Sequence, residues 1–177
     1  YGKRKVVVTV DASMAIDDYV DAKVVRTRVG DVFVSEEVRR SKADFGGEPS
    51  GTWIFPDQTY CPDGILAAAR LVEMASRTKL SELRKGVPSY RTLRKAVSFK
   101  AEDKPKVLRK LKAEMSSIDS EELLTMDGFR HRFEDGWALV RASGTEPKIR
   151  LLAEARGAER ADEIMRLMSD AVRRCVK

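Results

Sequence analysis

Histidine occurs once in the sequence, at His131, and cysteine twice, at Cys61 and Cys175. A single imidazole excludes histidine-rich metal sites and argues against a nucleophile–histidine mechanism. Neither cysteine stands in a metal-ligand or redox spacing, so both are expected as reduced thiols, with Cys175 on the apolar stripe of a terminal helix. No apolar run approaches the roughly 20 residues needed to cross a bilayer. Val6 to Val10 is too short for a signal-peptide core and ends at Asp11. No short-period repeat is visible. A cytoplasmic protein without a membrane partner is the expectation.

Charge, by contrast, is abundant. Thirty-four Lys and Arg face 28 Asp and Glu, for a net charge of +6. That excess keeps a non-catalytic phosphate- or nucleic-acid-binding module as an alternative, because Lys and Arg drive binding to a phosphate backbone. The cations are nevertheless dispersed. Arg39-Arg40, Lys110 to Lys112 and Arg173-Arg174 fall in helical patterns and read as solvated faces, with little aromatic interleaving for base stacking. Nucleic acid is therefore not the expected partner.

Hydrophobic residues make up 42% of the chain, enough for a core in one large domain or two small ones. Residues 1–88 read as a layered α/β domain and residues 89–177 as an α+β domain with an antiparallel sheet. In the first, valine-rich strands at Lys5 to Val10 and Lys23 to Val29 alternate with helical stretches at Ser13 to Ala22 and from Gly30-Asp31 to Lys42. Phe45 to Phe55 is a glycine-rich connection passing into a strand, and Asp63 is a plausible N-cap for a helix whose Ile65, Ala68, Ala69, Val72 and Ala75 fall on one inward stripe. Gly86 to Ser89 marks the boundary. Beyond it come a strand at Leu93 to Lys100 and a helix led by Pro105 with Val107, Leu108, Leu111 and Met115 on one face. Strands follow at Leu123 to Met126, Phe129 to Phe133, Trp137 to Arg141 and Lys148 to Glu154, with hairpin signals at Asp127-Gly128 and Asp135-Gly136. A last helix from Ala158 turns Ala161, Ile164, Met165, Met168, Val172 and Cys175 inward, the methionines as core fillers. His131 sits between Phe129 and Phe133 and is read as lying on the polar face of its strand.

Two loops carry candidate chemistry. Arg141 to Arg150 places Ser143, Gly144 and Thr145 in a tight turn between strands, with Arg141, Lys148 and Arg150 around it. Backbone N–H groups, hydroxyls and guanidinium forks are the parts of an oxyanion site. The spacing is not that of a Walker loop, and a charged surface hairpin is the competing reading. Gly46 to Gly51 is the second loop. Glu48 and Ser50 are two apart and project to the same side of an extended chain, where a carboxylate beside a hydroxyl suits vicinal sugar hydroxyls. A simple glycine bend is the alternative.

Taken together, Gly46-Gly47-Glu48-Pro49-Ser50-Gly51 and Arg141-Ala142-Ser143-Gly144-Thr145-Glu146-Pro147 resemble the α-D-phosphohexomutases. That family includes phosphoglucomutase/phosphomannomutase and phosphoglucosamine mutase. Thr27-Arg28-Val29-Gly30-Asp31, Asp63-Gly64 and Asp135-Gly136-Trp137 fit the same ordered pattern. The resemblance implies a C-terminal half, domains 3 and 4, of a four-domain enzyme built around a cleft. Such an enzyme interconverts a hexose or hexosamine 6-phosphate and 1-phosphate through a phosphoserine and a bisphosphate intermediate. It implies that Glu48 and Ser50 hold sugar hydroxyls, and that Arg141, Ser143, Gly144 and Thr145 hold the phosphate that is not transferred. Lys148 and Arg150 are added on charge grounds. Asp31, where some members have a proton-transferring histidine, and Arg28 are possible cleft residues, although Gly30-Asp31 also reads as a helix cap.

The phosphoserine loop and the aspartate-rich magnesium loop of the family do not occur in this sequence. No residue here is therefore assigned as catalytic or as a metal ligand, and the fragment alone is expected to be inactive. Magnesium and domains 1 and 2 belong to the full-length enzyme. Thr52 departs from the histidine found in many members after the Ser-Gly of the sugar loop. The run Gly46 to Phe55 is most similar to archaeal phosphoglucosamine mutases, with phosphomannomutase/phosphoglucomutase as the alternative.

Overall fold

A computed structural model describes residues 4–176. Residues 1–3 and 177, at the outer ends of the two expected domains, lie outside the described residues. The chain divides into two compact units, Tyr1–Ser89 and Tyr90–Lys177.

The first unit is built on a four-stranded mixed sheet. Strands β1 (Lys5–Thr9), β2 (Lys23–Thr27), β3 (Phe45–Gly47) and β4 (Trp53–Ile54) lie in the order β2-β1-β3-β4. β1 pairs parallel with β2 and β3, and β4 runs antiparallel to β3. The connections between the parallel strands are helical, as parallel pairing requires. A short α1 (Ala15–Tyr19) follows β1, and α2 (Asp31–Ser41) follows β2. Val34 and Val38 of α2 pack on Val7, Ala43 and Ile54 to form the core. Burying each such valine contributes about 1.5–3 kcal/mol. Gly46 lets the helix seat this closely, since a Cβ there would stand 2.5 Å from Val38 Cγ2.

Helix α3 (Gly64–Arg77) starts where the sequence indicates. Asp63 Oδ1 accepts the Leu66 N–H at 2.9 Å, a cap of about 1 kcal/mol. Its expected inward stripe does not face inward. Ile65 is 86% and Val72 69% exposed, Ala68, Ala69 and Ala75 are exposed, and Ala67 is its one buried residue. Helical periodicity says only that these residues share a face; the small sheet of this unit offers them no surface to cover it. A separate short helix, α4 (Leu80–Lys85), completes the unit.

The second unit has a five-stranded antiparallel sheet in the order β5-β9-β8-β7-β6. Its strands are β5 (Arg91–Ser98), β6 (Glu122–Leu124), β7 (Phe129–Phe133), β8 (Gly136–Ala142) and β9 (Lys148–Ala155). Helices α5 (Lys104–Ser116) and α6 (Ala158–Val176) supply the rest of the core. Val107, Leu111 and Met115 of α5 are buried, whereas Leu108 is exposed at the edge. The α6 stripe Ala161, Ile164, Met165, Met168, Val172 and Cys175 is buried throughout, against Ala138, Val140, Ile149 and Leu151 of the central strands. Glu154 pins the start of β8 to its neighbours, accepting from Trp137 Nε1 at 2.9 Å and Thr92 Oγ1 at 3.1 Å.

His131 corrects a second expectation. It is 0% exposed, not on a polar face. Residues 129, 131 and 133 share one side of a strand because the period is two, and Phe129 and Phe133 pack on the core. Its Nδ1 lies 3.0 Å from Ser120 Oγ, and burial holds its pKa below the ordinary 6.5. Arg130 takes the opposite side, its guanidinium 4.5 Å from the Trp137 ring.

Candidate functional site

In the first unit, β3 and β4 are joined by a closed turn. The Glu48 N–H donates to the Thr52 carbonyl at 3.0 Å, and the Gly51 N–H donates to the Glu48 carbonyl at 3.0 Å. Gly51 has φ 90, which only glycine adopts without strain. The turn sets Ser50 beside Glu48, as the two-residue spacing indicates. Ser50 Oγ donates to Glu48 Oε2 at 3.1 Å and lies 3.0 Å from Thr52 Oγ1. The other carboxylate oxygen, Oε1, accepts the Gly30 N–H at 2.6 Å. Gly30 caps the start of α2 with φ 134. Glu48 thus ties the turn to the Arg28–Asp31 segment and satisfies an otherwise unpaired donor at a helix end.

The same geometry places Asp31 and Arg28. Asp31 is exposed, and its Oδ1 accepts the N–H of the next residue, Val32, at 2.9 Å. Its observed contact is with its own helix start. Arg28 is exposed with its guanidinium 5.4 Å from the Phe33 ring centroid.

In the second unit, β8 and β9 form a hairpin in register through Arg141↔Arg150 and Ala142↔Ile149. Its turn is internally bonded. The Ser143 N–H donates to the Lys148 carbonyl at 2.9 Å, and the Lys148 N–H donates to the Glu146 carbonyl at 2.8 Å. The Glu146 N–H donates to Ser143 Oγ at 3.3 Å. Ser143 is buried, while Gly144 and Thr145 are exposed at the tip. A Cβ at Gly144 would meet nothing within 4 Å, so the fold leaves open space over that backbone. Close approach of an oxyanion to the turn is what such space permits.

Each cation of this loop has a carboxylate partner. Arg141 Nε lies 3.1 Å from Asp127 Oδ1. Glu146 lies 2.6 Å from Lys148 Nζ and 2.9 Å from Arg150 Nη2, and these two donors hold its carboxyl below the usual carboxylate range. The sequence reading does not single out Asp127 or Glu146 as partners of these cations. Asp127 has a signal in hindsight, because pairing of Phe129 with Val140 brings Gly128, and hence its neighbour, beside Arg141. Among the described residues, no group of three His, Cys, Asp or Glu side chains could hold a metal ion.

Two sequence profiles match the chain in order. Residues 1–90 match "Phosphoglucomutase/phosphomannomutase, alpha/beta/alpha domain III" and residues 95–171 match the C-terminal domain of the same family. The chain belongs to the phosphoglucomutase/phosphomannomutase family. Within it, a probable phosphoglucosamine mutase of Methanosarcina acetivorans is 48% identical over 99% of this chain and 40% of its own length. The probable phosphoglucosamine mutase of Pyrococcus horikoshii is 45% identical over 100% of this chain and 40% of its own length. The chain thus spans about two fifths of the curated relatives it matches. A phosphoglucomutase/phosphomannomutase family protein from Burkholderia thailandensis superposes with a TM-score of 0.83 at 25% identity, over 98% of this chain and 38% of that one. The N-acetylphosphoglucosamine mutase of Aspergillus fumigatus, solved with GlcNAc-6P and magnesium, shares the fold with a TM-score of 0.62 at 20% identity. It covers 99% of this chain and 39% of that one. The α/β and antiparallel α+β architecture expected from the sequence is the architecture of this family's domains III and IV.

Proposed function

We propose that this chain is the sugar- and phosphate-binding part of a phosphoglucosamine mutase, a cytoplasmic isomerase that moves a phosphoryl group between the 6- and 1-positions of a hexosamine phosphate. The observation that carries the proposal is the Glu48–Ser50–Thr52 cluster on one unit together with the open, donor-rich Ser143–Gly144–Thr145 turn on the other. The first suits sugar hydroxyls. The second, with Arg141 beside it, suits a phosphate that stays in place. Lys148 and Arg150 join that phosphate site by exchanging Glu146 for the ligand. Catalysis of this kind is positioning and charge stabilisation. Phosphomannomutase/phosphoglucomutase activity is the runner-up, because one glutamate and one serine engage hydroxyls common to all three sugars.

The groups that carry out phosphoryl transfer, a phosphoserine and a magnesium loop, reside in the remaining three fifths of the longer protein. Domains 1 and 2 are then the principal partner of this chain. The bare apolar stripe of α3 supports that reading, since packing against further polypeptide would cover Ile65 and Val72. The test is to express the longer protein and assay it against glucosamine, glucose and mannose 6-phosphates. Turnover fastest with glucosamine 6-phosphate, and none by residues 1–177 alone, is the expected result. Turnover by residues 1–177 alone, or a longer protein inert towards all three sugars, would overturn the proposal.

A further inference from the structure

The Thr52 hydroxyl lies 3.0 Å from Ser50 Oγ. A serine hydroxyl has one proton. A carboxylate can only accept, so the 3.1 Å contact, in which Ser50 Oγ donates to Glu48 Oε2, uses that proton. Ser50 then has only lone pairs to offer Thr52, and Thr52 must be the donor. Proton direction along the chain is fixed: Thr52 to Ser50, Ser50 to Glu48. The far end is fixed as well, because Glu48 Oε1 takes the Gly30 N–H at 2.6 Å. Donor–acceptor chains that end on a charge polarise in one sense and strengthen each other.

We propose that Thr52 is a positioning residue for sugar recognition: its hydroxyl commits the Ser50 proton to Glu48, so that Glu48 and Ser50 meet the sugar with acceptors alone. This rests on the phosphosugar mutase reading above. Glu48 and Ser50 each keep an unused lone pair, and the Ser50 hydroxyl proton is already committed. Such a surface takes donors, which a sugar supplies as hydroxyl protons and a hexosamine also as an ammonium group. A valine at the position would keep the shape and lose the donor. Ser50 would then be free to rotate its proton between Glu48 and the sugar.

The test is steady-state kinetics of the longer enzyme with glucosamine 6-phosphate. Losing one neutral hydrogen bond should raise KM about threefold to tenfold in Thr52→Val, while kcat changes less than about twofold. Thr52→Ser, which keeps the hydroxyl, should bring KM back towards the parent. Because Thr52 acts through Ser50, Ser50→Ala/Thr52→Val should have the KM of Ser50→Ala alone. An unchanged KM in Thr52→Val, or additive effects in the double variant, overturns the role of Thr52 in an enzyme that otherwise turns over normally. A parent enzyme with no turnover on any hexose phosphate overturns the mutase reading and this inference with it.

Discussion

The turn at Glu48 to Thr52 and the turn at Ser143 to Lys148 solve opposite electrostatic problems. The first carries one carboxylate, and it is held by donors: a backbone N–H from a helix start and a hydroxyl from its own turn. The second is ringed by Arg141, Lys148 and Arg150, and each is held by a carboxylate, Asp127 or Glu146. In both, the groups that would meet a ligand are already oriented by partners within their own unit. The difference lies in what a ligand must do. On the proposed reading, a sugar adds to the first turn by filling unused lone pairs. On the same reading, a phosphate at the second competes with Glu146 for Lys148 and Arg150, whereas the backbone over Gly144 is open from the outset.

Removing the central cation should have the largest effect. Arg141→Ala should weaken binding of glucosamine 6-phosphate by about 1.5–3 kcal/mol, the range for a charged hydrogen-bonding group. Calorimetric titration checks this. Weak polyanion binding, measured beside it, should scarcely change; if polyanion binding fell instead, the chain would be a general anion binder. Glu48→Gln comes next, at about 1–2 kcal/mol in sugar-phosphate affinity, with inorganic phosphate binding unaffected. An equal loss for inorganic phosphate would erase the distinction between the two turns.

Glu146→Gln sharpens the contrast in the other direction. If Glu146 competes with the ligand for Lys148 and Arg150, neutralising it should tighten phosphate binding about twofold to fivefold, the worth of an exposed ion pair. Weaker binding would mean that Glu146 orients those cations instead. A further contrast concerns the scaffolds. His131 has a folded pKa below its ordinary value, so its contribution is complete above about pH 6.5 and declines as pH falls, when the unfolded chain takes up a proton the folded one resists. Thermal melts from pH 7 to 5 should show the second unit losing stability, with a slope no steeper than about 1.4 kcal/mol per pH unit for one proton. His131→Leu should flatten that slope. The first unit contains no histidine and lacks this term.

The parts of this molecule legible in the sequence were those decided locally. Asp63 caps α3, Gly128 turns with φ 83, and the α6 methionines fill the core, each as its neighbours in sequence indicate. The Ser50–Glu48 contact was legible for the same reason, through a two-residue spacing. Features decided by other elements were not. The stripe of α3 is a true helical face, but whether anything covers it depends on surface outside the unit. Gly30 reaches Glu48 across 18 positions, with no local signature, and Asp127 reaches Arg141 only through the register of the β7–β8 pair. His131 was misplaced despite a local signal, since the strand period puts it with Phe129 and Phe133.

The division of labour between the two turns is most directly tested by amide chemical shifts in 15N-labelled protein, titrated first with inorganic phosphate and then with glucosamine 6-phosphate. Inorganic phosphate should move only the amides of Ser143 to Lys148, and glucosamine 6-phosphate should move these together with Gly30 and Glu48 to Thr52. Shifts at Glu48 to Thr52 with inorganic phosphate, or none in either turn with glucosamine 6-phosphate, would contradict the account.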